Sequence, residues 1–99
     1  MRLSTDQITH IRQSVKTLAG ESARVWLFGS RVHDDARGGD VDLLLELDHS
    51  VSEPAALAAQ VATRVSRGMY GRKVDVLLSA PNLAKSPVHS IALAQGIRL

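Results

Sequence analysis

Asp40 and Asp42 stand two residues apart in the run Asp40-Val41-Asp42-Leu43-Leu44-Leu45-Glu46-Leu47, the strongest strand pattern in the chain. Side chains on a strand alternate between faces, so both carboxylates project from one face with Cα atoms about 6–7 Å apart. Like charges this close repel, and a divalent cation between them offsets the repulsion; hard ions such as Mg²⁺ choose carboxylate oxygens. A third carboxylate, Asp75, interrupts the apolar run Val74-Asp75-Val76-Leu77-Leu78, where strand propensity gives no reason for it. If its strand lies beside the first, three carboxylates converge. That is a ligand set for two metal ions about 3.5–4 Å apart, which aligns the attacking and leaving oxygens of a phosphoryl-type transfer. Upstream, Gly29-Ser30 ends another strand. A glycine lets backbone approach a phosphate, and exposed N–H groups with a serine hydroxyl cradle its oxygens; Arg31 is placed to neutralise one of them. Triphosphate chemistry is the simplest use of both features.

The elements that position these residues follow from local signals. Ser4 and Gln7 have the form of a capping box, and Ile8, Ile11, Val15 and Leu18 recur at helical spacing until Gly20, which predicts a helix over 5–19. Arg24-Val25-Trp26-Leu27-Phe28 reads as a strand, residues 31–39 as a polar loop, and 40–47 as the second strand. Ser50 and Glu53 form a second capping-box pair ahead of Pro54. Ala55, Ala58, Val61, Ala62, Val65 and Met69 then share one face, predicting a helix over 53–67. Residues 72–78 make a third strand, 88–95 a short helix, and Gly96 leads into a terminal Ile97-Arg98-Leu99. Helices between short strands imply an α/β (α+β) fold: a small mixed sheet with helices packed on one face, in a single domain over 1–99. The strand-helix-strand unit over 40–78 is parallel if its crossover has the usual hand.

Composition bounds the function. Apolar residues make up 44% of the chain and charged residues 22%, which suits one modest core and excludes intrinsic disorder. There is no cysteine, hence no disulfide framework, thiolate metal site or cysteine nucleophile. No apolar run approaches the roughly 18–20 residues of a membrane span, and the polar start lacks a signal-peptide core, so a cytoplasmic location is expected. Twelve basic against ten acidic residues give a net charge of only +2. With no basic stripe and three aromatics, direct nucleic-acid binding is disfavoured. The four histidines are scattered without metal-ligand spacing, His33 alone lying inside the motif loop, and Arg72 and Lys73 read as solvated.

Phe28-Gly29-Ser30-Arg31, followed after the spacer by Asp40-Val41-Asp42-Leu43, resembles the GS…DxD signature of the DNA polymerase β-like nucleotidyltransferase superfamily. The small size is similar to its minimal nucleotidyltransferase (MNT) branch, known chiefly as antitoxins paired with HEPN-domain toxins. Nine residues separate Ser30 from Asp40, one fewer than is commonest in that branch, and Gly38-Gly39 stands where a small residue and a serine are usual. The resemblance implies that Gly29 and Ser30 bind the nucleoside triphosphate, that Asp40 and Asp42 hold Mg²⁺, and that Asp75 completes a catalytic triad. It further implies ATP as substrate and AMPylation of a HEPN-type toxin, an RNase silenced in this way, by a type VII antitoxin. Such a small chain has no room for an acceptor-binding domain, so the acceptor is expected to be a separate protein. The competing reading is a non-catalytic antitoxin that neutralises its partner by complex formation. That module retains the metal site only as ancestry; the bland reading of the residues themselves is that Asp40 merely opens a strand after a Gly-Gly turn, Asp42 is a solvated outward residue and Asp75 sits on an exposed sheet face.

Overall fold

The computed structural model describes residues 3–28, 41–85 and 87–99, with Val88 described by its backbone only. In chain order the elements are α1 (Thr5–Ala19), β1 (Arg24–Phe28), β2 (Val41–Glu46), α2 (Pro54–Arg67), β3 (Val74–Ser79), α3 (Pro87–Gln95) and β4 (Ile97–Arg98). The capping box that opens α1 forms in full: Gln7 N donates to Ser4 Oγ at 3.1 Å, and Ser4 N donates to Gln7 Oε1 at 2.9 Å. At α2 the expected box does not form. Glu53 is the N-cap, in a non-helical conformation and without a side-chain cap bond. The cause is Pro54, whose ring disfavours helical backbone at the residue before it and so starts the helix at Pro54 itself.

The four strands form one mixed sheet in the order β3-β2-β1-β4. β1 runs antiparallel to β2 and to β4, while β2 and β3 are parallel, joined by the expected crossover through α2. Val41, Leu43, Leu45 and Leu47 alternate onto one face and enter the core with Val25, Leu27, Val74 and Leu78. From the helices, Ile11 and Val15 of α1 and Val61 and Val65 of α2 close this core. Met69, just past α2, is also fully buried, whereas Ala55, expected on the same face, is exposed and Leu57 packs instead. Leu44 and Ala92 are buried outside this cluster.

The C-terminal segment holds a strand that sequence patterning did not mark. Ile97 pairs with Leu27 and Arg98 with Trp26, and Leu99 N donates to Val25 O at 2.9 Å. Between α3 and this strand, Gly96 N donates to Ala92 O at 2.8 Å. A Cβ at Gly96 would lie 2.3 Å from Ala92 O and 3.0 Å from Leu27 O, both of them backbone atoms. Gly96→Ala must therefore push the end of α3 or β4 away from β1. The expected cost is about 1–3 kcal/mol, with a thermal midpoint lower by roughly 4–8 °C for each kcal/mol. An unchanged midpoint would mean that the close approach is not sterically required.

Candidate functional site

Each parallel strand carries one carboxylate near its start, and the register brings the two together. Val41 pairs with Val74, Asp42 with Asp75, and Leu43 with Val76. Val41 N donates to Lys73 O at 2.9 Å, which fixes the first step of the ladder. Asp42 and Asp75 are thus lateral neighbours on the face away from the α1/α2 core, on strands about 4.8 Å apart. Asp42 is half-buried and Asp75 exposed. On the other side of Asp42, at the end of antiparallel β1, sits Phe28. The chain continues from Phe28 directly into Gly29-Ser30-Arg31, and Asp40 directly precedes Val41. Gly29, Ser30, Arg31 and Asp40, with His33 and Gly38-Gly39, lie outside the described residues.

Lys73 Nζ lies 3.9 Å from Asp75 Oδ2. Both side chains are more than half exposed, so the pair adds little to stability, but it sets a cation at the rim of the carboxylate pair. The signal for it was in the sequence: Lys73 and Asp75 have the same two-residue spacing that groups Asp40 with Asp42 on one face. At the opposite end of the sheet, Asp48 accepts hydrogen bonds from His49 and from Ser22 Oγ, which hold its carboxyl below the usual carboxylate range.

Among the described residues no group of three or more His, Asp or Glu side chains is close enough to hold a metal ion. Asp42 and Asp75 supply two donors, both anionic oxygens on strands locked in register, and this is the chemistry a hard divalent cation selects. No helix among the described residues is long and apolar enough to cross a membrane.

A carboxylate from each of two adjacent parallel strands thus stands at one end of a small mixed sheet backed by helices. The chain matches the model of the nucleotidyltransferase domain over residues 8–96, and it belongs to that family. The family chemistry is transfer of a nucleotide, which makes the chain a transferase domain. No curated protein matches the chain at a significant level.

Proposed function

We propose that the protein is a Mg²⁺-dependent nucleotidyltransferase that moves AMP from ATP onto a hydroxyl of a partner protein, as the antitoxin of a HEPN-type toxin. The observation that carries this reading is the register pairing of Asp42 with Asp75 in a chain of the nucleotidyltransferase family. Asp40, Asp42 and Asp75 would hold two Mg²⁺ ions, which when bound supply charge neutralisation at the α- and β-phosphates. Gly29 and Ser30 bind the β- and γ-phosphates, and Arg31 neutralises one of their oxygens. Asp75 accepts the proton of the incoming hydroxyl. That oxygen bonds to the α-phosphorus, the bond from the α-phosphorus to its bridging oxygen breaks, and pyrophosphate leaves. Catalysis is then mostly positioning and charge neutralisation, as phosphoryl-type transfers are.

The test uses the chain with its co-expressed partner and ATP labelled at either the α- or the γ-phosphorus. Label from the α-position is expected to appear on the partner, and EDTA is expected to abolish it. Label from the γ-position would identify a kinase and overturn the proposal. Tight complex formation with no transfer at all would favour the non-catalytic antitoxin.

A further inference from the structure

The turn from α2 into β3 has features that packing does not explain. Tyr70 is 97% exposed and adopts φ 59°, a left-handed conformation that is costly for a bulky side chain; Gly71, which follows, has φ 76°. The backbone around it is firmly held. Met69 is fully buried, Gly71 N donates to Ser66 O at 2.9 Å, Ser66 Oγ donates to Arg72 O at 2.7 Å, and Arg72 N donates to Met69 O at 3.3 Å. An aromatic ring is thus presented to solvent on a fixed turn, between the exposed cations Arg67 and Arg72.

The turn is also placed where an acceptor must arrive. Because β2 and β3 are parallel, residues 68–73 lie at the same end of the sheet as Asp42 and Asp75, and Lys73 O is bonded to Val41 N. Nucleotidyl transfer is an in-line displacement, so the attacking oxygen and departing pyrophosphate occupy opposite sides of the α-phosphorus. On the proposed reading, pyrophosphate departs on the β1 side, where Gly29-Ser30 follows Phe28. The attacking hydroxyl then enters from the β3 side, over Asp75 and beside this turn.

We propose that residues 67–73 form the docking surface for the acceptor, with Tyr70 packing on it and Arg67 and Arg72 attracting it, and that the acceptor segment is an acidic peptide around the modified hydroxyl. The inference rests on the transferase reading for its chemistry but on the turn alone for binding. Charge complementarity selects the occupant. Lys73 is engaged with Asp75, which leaves Arg67 and Arg72 as two exposed cations flanking Tyr70, in a chain whose total net charge is only +2. A nucleic acid is the weaker fit, because one exposed aromatic makes no series of stacking platforms and so local a cluster follows no phosphate backbone.

The experiment pairs two synthetic peptides, each with one tyrosine, flanked in one by glutamates and in the other by lysines. Peptide binding is read by fluorescence anisotropy, and transfer is read with α-labelled ATP. The intact chain should bind and modify the glutamate peptide at least about fivefold better, through KM rather than kcat, and Arg72→Glu should remove or reverse that preference. Tyr70→Gly relieves the left-handed strain, so its thermal midpoint should not fall, while the KM for the glutamate peptide should rise. MgATP binding, followed by the fluorescence of Trp26, should be unchanged in both variants. Equal binding of the two peptides, a preference that survives Arg72→Glu, or stronger binding of a single-stranded RNA than of either peptide would overturn the docking surface. Charge-selective binding without label transfer would uphold the surface and overturn the proposed transfer of AMP to a protein hydroxyl instead.

Discussion

Asp42→Asn is expected to lower nucleotidyl transfer by about 10²–10³-fold while leaving the protein folded and its thermal midpoint nearly unchanged. The substitution keeps the size and planarity of the side chain and removes its charge. Asp42 lies on the face away from the α1/α2 core and pairs in register with Asp75. Asparagine keeps a planar polar side chain that still forms hydrogen bonds there, so the fold is expected to be retained. The same change takes from the proposed site an anionic ligand that Mg²⁺ requires. Activity and stability are predicted to move independently. The measurement is initial rate with α-labelled ATP at saturating Mg²⁺, set beside thermal unfolding of both proteins. A rate within tenfold of the unsubstituted chain would remove Asp42 from the catalytic set. A midpoint several degrees lower would instead give the carboxylate a structural role.

The parts of the fold that were legible in the sequence are those set by neighbours in the chain. The helix over 5–19 and the strand over 24–28 carry their stops locally, in a capping box, a glycine and a short β-branched and aromatic run, and both are found with those bounds. The parallel pairing of β2 with β3 was legible as well, since a helix between two strands leaves few other arrangements. What escaped was set by contacts distant in sequence. β4 is two residues long and exists only because Leu27 and Trp26 offer it backbone partners. Register is likewise invisible in a single strand: the spacing of Asp40 and Asp42 says that they share a face, but only the ladder says that Asp75 stands beside Asp42. At α2 two local signals conflicted, the Ser50/Glu53 pair and Pro54, and the steric one prevailed over the hydrogen-bonding one. Tyr70 escaped because nothing in composition marks an aromatic as exposed; its position between two glycines was the available hint.

One residue further along β2, the balance reverses. Leu43 is fully buried, pairs with Leu27 on one side and Val76 on the other, and points into the core under α1 and α2. Leu43→Ala removes three buried carbons from a central strand whose neighbours on both sides are fixed by backbone hydrogen bonds and cannot collapse freely into the space. The expected loss is about 3–4 kcal/mol, a large share of the roughly 5–15 kcal/mol that holds a domain of this kind together. Yet the alternation of the strand directs Leu43 away from the carboxylates, so the molecules that remain folded should keep the rate of nucleotidyl transfer of the unsubstituted protein. Urea unfolding at low temperature, with transfer assayed in the same samples, separates the two effects. Stability should fall by several kcal/mol, while activity per folded molecule changes by less than about threefold. A parallel collapse of both would mean that core packing and the carboxylate pair are coupled through β2. Together the adjacent substitutions, Asp42→Asn and Leu43→Ala, test whether one strand keeps its chemistry on one face and its stability on the other.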